Sequence, residues 1–247
     1  MRKIRRAAVF SLALLAAARM AATRVAVAQA PIIYRPEDTA ALDIALIRDG
    51  ALVTNLNFEN PRGVIARYTG VDLGEAPQTV TCRARFDGGG AVALISSAGG
   101  AWSIDGITKA SIHAVFTSES YHFGFFEDGV LSDVLAGEYT LDRTGGKEYT
   151  FGYTISGTTL TLKLPNGKTD KKIDERVKAL NGPYVIFEHY LTAEDVAAGA
   201  APAIVSVYAK GKSLPALKDD FQRGDGLPFI APSGHVYVQF RNEWEGD

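Results

Sequence analysis

The stretch that decides the fold is "EYTFGYTISGTTLTLKLPNGK", Glu148 to Lys168. Tyr149, Phe151, Tyr153 and Ile155 occupy every second position, and Leu160 and Leu162 continue the pattern after a break. A period of two places successive side chains on opposite faces of a strand, so each run has one apolar and one polar face. Ser156-Gly157 between the runs is a two-residue hairpin signal, and Asn166-Gly167 marks a second turn. Two such strands cannot bury their apolar faces alone and need a second layer to cover them.

The same period extends in both directions. "TVTCRARF" (79–86), "SIHAVFT" (111–117), "GPYVIFEHYL" (182–191), "AIVSVYAK" (203–210) and "GHVYVQF" (234–240) alternate, and "GAVALISS" (90–97) is a short buried run. Asp87-Gly88-Gly89-Gly90 reads as a hairpin turn, because the Lys-Ser/Thr of a phosphate loop is missing. Asp128-Gly129 is a further turn signal. Helical signals are few. "DERVKAL" with Ile173 ahead of it spaces Ile173, Val177 and Leu180 at i, i+4, i+7 before an Asn181-Gly182 stop. "TAEDVAAG" has Thr192 as N-cap and Gly199 as exit, and "PEDTAALDIALI" (36–47) reads as another short helix. The expectation from the strands is an all-β, antiparallel sandwich or barrel with one or two short helices.

This order resembles the concanavalin A-like lectin/glucanase superfamily of jelly rolls. The resemblance is carried by "FFEDGVL", a strand entering an Asp-Gly turn as in laminin G-like domains, by Gly146 to Lys168, by a short helix, and by the long strand "GPYVIFEHYL". It covers Val53 to Lys210. It implies two stacked sheets, the concave one binding carbohydrate.

The first residues point to export. Arg2, Lys3, Arg5 and Arg6 precede an apolar run from Ala7 to Ala18, and Ala26-Val27-Ala28 is a small-x-small cleavage pattern. Pro31 disfavours the later site, so residues 1–28 read as a signal peptide and 29–247 as one β-sandwich domain, secreted or periplasmic. The apolar run is shorter than the ~20 residues a membrane span needs, so no transmembrane segment is expected in the mature chain. The whole chain has 26 Lys+Arg against 28 Asp+Glu; losing the six basic groups of the leader leaves 20 against 28, a net charge of −8. With no basic run after the leader, nucleic acid and anionic membrane surfaces are disfavoured as partners. The lone Cys82 alternates onto the face of Val80, Ala84 and Phe86 and reads as a small buried hydrophobe.

Candidate binding residues are His113, His122, Glu188, Tyr190 and Trp102; no catalytic residue is assigned. Opposing Thr117 with His122 gathers Ile112, Ala114, Phe116, Phe123 and Phe125 into a core and puts His113 and His122 on the other face. In that register His113 lies opposite Phe126, about 13 Å from His122 at ~3.3 Å per residue, and the other register puts the two on opposite faces. That is too far for a shared metal, and no D-x-D-x-D calcium loop occurs, so no metal and no cofactor is expected. In "YVIFEHY", Tyr184, Ile186, Glu188 and Tyr190 share one face, and a buried Glu there must be partnered. Trp102 sits among loop residues where a ring could stack on a sugar. The plainer alternative is ordinary sheet and edge residues.

The expected function is binding of a polysaccharide or other glycan on the concave sheet. A lyase or hydrolase of the same fold is the alternative, and a structural or adhesive envelope role is the second. The E-x-D-x-x-E strand of the superfamily's hydrolases is missing; Glu243 and Glu245 are the nearest approach. The superfamily's lyases carry R-x-E-x-R and Q-I-H strands. "RARF" lacks the glutamate and "SIH" has Ser111 in place of Gln, while His113, His189, Tyr190, Arg83 and Arg85 are suitable residue types for proton abstraction and carboxylate neutralisation.

Overall fold

The computed structural model describes residues 45–56, 63–68, 73, 77–87, 89–97, 110–127, 130–180, 184–191, 193–211, 216–222, 230–231 and 234–240. Its strands form two antiparallel eight-stranded sheets. The front sheet runs β15 (Ile230–Ala231), β16 (Gly234–Phe240), β3 (Gly63–Tyr68), β12 (Tyr184–Tyr190), β5 (Ala91–Ser97), β6 (Ala110–Thr117), β7 (Ser120–Glu127), β8 (Val130–Glu138). The back sheet runs β1 (Ala45–Arg48), β2 (Ala51–Thr54), β13 (Pro202–Lys210), β4 (Gln78–Phe86), β9 (Glu148–Ser156), β10 (Thr159–Lys163), β11 (Thr169–Ile173), and β14 (Leu217–Asp219) also pairs with β13. The described helices are α1 (Arg176–Leu180), α2 (Ala193–Ala197) and a 3₁₀ turn (Thr144–Gly146). This is an antiparallel two-sheet β-sandwich, one of the two architectures the alternating strands allow and the one the resemblance implies.

The core lies between the sheets, on the faces that alternation assigned to it. Val80, Cys82, Ala84 and Phe86 of β4 and Phe151, Tyr153 and Ile155 of β9 meet Ile112, Ala114 and Phe116 of β6 and Phe123 and Phe125 of β7. Rings interlock across the layers: Phe116 to Phe151 at 4.6 Å and Phe123 to Tyr153 at 6.1 Å between centroids. Burying each such side chain contributes about 1.5–3 kcal/mol. Burial also pushes the Cys82 thiol well above its ordinary pKa, which leaves it a packing residue rather than a nucleophile. At one edge, Tyr121 of β7 donates to Asp170 of β11 at 2.7 Å and so ties the two layers together. Desolvation, then the Asp170 carboxylate, push its phenol up to about 12.

Three local expectations are corrected. Ala45–Ile47 do not continue a helix from Pro36: Ala45–Arg48 is a strand paired with β2. Asp49 and Gly50 both have left-handed backbones (φ 50° and 66°), the geometry of a two-residue hairpin whose twist matches the strands. The Asp87–Gly90 stretch is not a hairpin turn, because β4 and β5 lie in different sheets; it is a corner between layers. Ile173 does not join the helix of Val177, which is buried; it ends β11 and is 73% exposed. The helix at Ala193–Ala197 and the Gly199 exit (φ 67°) are as expected, while Thr192, Asp128-Gly129 and the leader lie outside the described residues. "VLSDVLAGE", which shows no clean alternation, is nonetheless strand β8.

Candidate functional site

The outward face of the front sheet gathers the histidines and Glu188. Its register places Glu188, Ala93, Val115 and His122 side by side on four adjacent strands. The next row is Ile186, Ile95, His113 and Gly124. Ala93, Ile95 and Ile186 form their own small apolar cluster with Val115, separate from the interlayer core. The face therefore has an apolar middle with polar groups at either end. Glu188 and His122 stand three strands apart, about 14 Å at ~4.8 Å per strand.

Each polar group is held. Ser111, two residues before His113 on the same face, lies with its Oγ 2.7 Å from His113 Nε2. The His113 ring packs on Phe126 at 5.6 Å. His113 itself is half-buried, while Ser111 is fully buried. His122 Nδ1 is 3.4 Å from Asp133 Oδ2 of β8, within ion-pair reach but out of line for a hydrogen bond. Glu188 is 2% exposed and engaged by neighbours, which answers the requirement that a buried carboxyl be partnered. Ser111 and Asp133 were missed as site residues in the sequence. The i, i+2 spacing of Ser111 and His113 was a visible signal; Asp133 had none, because β8 does not alternate.

The register of β6 and β7 differs from the expected one by two residues. Val115, not Thr117, opposes His122, and Gly124 opposes His113. Thr117 accepts backbone hydrogen bonds from Glu119 (3.0 Å) and Ser120 (2.8 Å), which closes a two-residue loop. A slip of two keeps every face assignment but shortens the diagonal. His113 and His122 are thus diagonal neighbours, about 7–8 Å apart at the backbone instead of 13 Å.

The residue types considered for a lyase do not converge. Arg83 and Arg85 lie on the outward face of the back sheet, because Cys82, Ala84 and Phe86 face the core. The sandwich stands between them and His113. His189 points between the layers, where Thr54 Oγ1 of β2 lies 3.3 Å from its Nε2. Complete burial lowers its pKa to about 3, so it is neutral and structural. Tyr190 closes β12 opposite Gly63 and Ala91 in the ladders. Trp102, Glu243 and Glu245 lie outside the described residues. Among the described residues no three potential ligands cluster for a metal, and no helix is long and apolar enough to cross a membrane.

No protein-family model matches the chain, and no curated protein matches it in sequence. Among solved structures, it is similar to lactose- and MES-liganded congerin II, with 10% identity over 59% of this chain and 99% of that one, at a TM-score of 0.41. It is similar to carbohydrate-binding module CBM66 from Bacillus subtilis, with 14% identity over 56% and 74% of the two chains, at 0.38. It is also similar to a variant of alginate lyase A1-II′, with 21% identity over 57% and 65%, at 0.39. These proteins have concanavalin A-like jelly-roll folds; in the present chain the strand ladders themselves establish the two-sheet sandwich of that class.

Proposed function

We propose that this is an exported carbohydrate-binding protein that holds a glycan on the outward face of its front sheet. The observation that carries the reading is the part-exposed pair His113 and His122, diagonal neighbours on the outward face of β6 and β7. Sugars present apolar C–H patches edged by hydroxyls. The part-exposed imidazoles of His113 and His122, with the Phe126 ring against His113, offer partners for both, while Ala93, Ile95, Ile186 and Glu188 are buried and support them from within the face. Export rests on the leader-like residues 1–28.

A polysaccharide lyase is the second reading, favoured by one feature. His113 is partly exposed and fixed by Ser111, as a base that removes a proton from a bound sugar requires. Arg67 of β3 occupies the ladder row of His113, opposite Ile186.

One experiment separates these readings. The purified protein is incubated with a panel of neutral and acidic polysaccharides, and both retention and products are measured. Retention of a neutral glycan without cleavage, weakened in His113→Ala, is the expected result. Unsaturated products lost in His113→Ala would establish the lyase instead, and new reducing ends a hydrolase. No retention of any glycan would overturn the proposal and leave the envelope role.

A further inference from the structure

We propose that the outward face of the back sheet is a second binding surface, for an anionic polysaccharide. The proposal is independent of what the front sheet binds. Cations scattered along the chain are brought together here by strand pairing. One row across the sheet reads Lys210–Thr79–Thr154–Thr161–Lys171. The neighbouring row reads Lys218–Tyr208–Thr81–Gly152–Lys163–Thr169. A third holds Ser206–Arg83–Thr150.

These are the outward positions of their strands, since Val80, Cys82, Phe151, Tyr153, Leu160, Leu162 and Val207 alternate with them into the core. Lys163, Lys171, Lys210 and Lys218 are all exposed, and among the described residues none of the four has an ion-pair partner. The first row spans four strand spacings, about 19 Å at ~4.8 Å each. A chain of net charge −8 without its leader therefore carries a flat face whose main acids are already engaged or at its margin. Glu148 pairs with Arg83 at 3.3 Å. Asp220 stands at the wall of a pocket of about 350 Å³ that Arg83, Ser206 and Tyr208 also line.

The ligand class follows from what separates the lysines. Hydroxyls of Thr79, Thr154 and Thr161 fill the row between Lys210 and Lys171, so the face alternates cation with hydroxyl donors and acceptors. A polymer of sugar carboxylates offers the matching alternation of charge and hydroxyl. A nucleic acid would want several exposed rings for base stacking, and the rows hold one aromatic, Tyr208. An anionic bilayer would want apolar side chains to insert, and the rows hold none.

Affinity electrophoresis through gels containing polygalacturonate or neutral dextran tests this with the full chain. Polygalacturonate is expected to retard the protein and dextran not to. Retardation should fade as salt rises from about 0.05 M to about 0.5 M, where exposed charges are screened within a few ångströms. The variant K163Q/K171Q/K210Q/K218Q should bind polygalacturonate at least about tenfold more weakly, each exposed contact being individually modest, with an unchanged thermal midpoint. The pairs K163Q/K171Q and K210Q/K218Q, each expected to lose about threefold, carry the test if the fourfold variant does not fold. Lys178→Gln, on α1 and outside the rows, should retain full polygalacturonate binding. No retardation of the wild type, or equal retardation of the lysine variants, would overturn the proposal. So would an equal loss of polygalacturonate binding in Lys178→Gln, or tighter binding to duplex DNA or phosphatidylglycerol vesicles than to polygalacturonate.

Discussion

The two outward faces of this sandwich obey the same alternation rule and end in opposite chemistry. On the front sheet the outward middle is Ala93, Ile95 and Ile186, all 1% exposed or less, with Glu188 buried beside them. On the back sheet an apolar patch of Ala51, Val53, Ala203 and Val205 lies at the β2–β13 end, but the rows across β13, β4, β9, β10 and β11 are dominated by Thr, Lys and Arg, and the lysines are in water. Alternation guarantees that every second residue leaves the core; it does not say what that residue meets. The part-exposed histidines of the front face act over hydrogen-bond range, and the lysine–threonine face recruits charge over about a Debye length. The difference teaches that two layers of one fold can be read as two surfaces with separable partners.

Four measurements would break or sharpen this contrast. The largest effect is expected at Gly152, which interrupts the hydroxyl row of the back face at φ 153°. A Cβ there would collide with the Val80 carbonyl oxygen and the Thr81 Cα. Gly152→Val should destabilise the protein by about 3 kcal/mol or more, read from the urea midpoint. Wild-type stability in that variant would mean that β4 and β9 are not packed as described.

The second effect belongs to neither face. His189 titrates near 6.5 when unfolded and at about 3 when folded. Its neutral form contributes stability that is complete above pH 6.5 and is lost as pH falls toward 3. At pH 5 the loss should be about 2 kcal/mol. His189→Gln should flatten this part of the stability–pH curve; an identical slope in that variant would place the acid sensitivity elsewhere.

Third, His113→Ala should weaken retention of a neutral glycan by about tenfold, or 1.4 kcal/mol. That binding should persist at about 0.5 M salt, unlike binding at the back face. Equal salt sensitivity at both faces would dissolve the comparison. The smallest effect is on stability: Lys171→Gln should change the free energy of unfolding by less than about 0.5 kcal/mol, because an exposed, unpaired lysine contributes little to the fold.

Legibility in the sequence followed locality. Period alone separated Ile112, Ala114 and Phe116 from His113, and Phe123 and Phe125 from His122; that the two apolar sets share the core side took a choice between two registers, and the pairing of β6 with β7 makes it. The distance from His113 to His122 was not readable, because a two-residue slip leaves the faces unchanged and only the Thr117 turn selects the register. The β1–β2 hairpin was hidden by an apolar spacing that also fits a helix; Asp49-Gly50 was the overlooked signal. Strand β8, and with it Asp133, shows no period of its own and is held in the sheet by pairing with β7.

By itself, the sequence determined two covered layers, the inward set of side chains and the place of most turns, since these depend on residues within a few positions of one another. Only the tertiary structure decided which strands lie side by side. Lys210, Thr79, Thr154, Thr161 and Lys171 come from five separate strands and form one row through ladder pairing. A basic surface absent from every linear window of residues 29–247 thus exists on the back sheet, because antiparallel pairing joins residues by register and not by sequence distance.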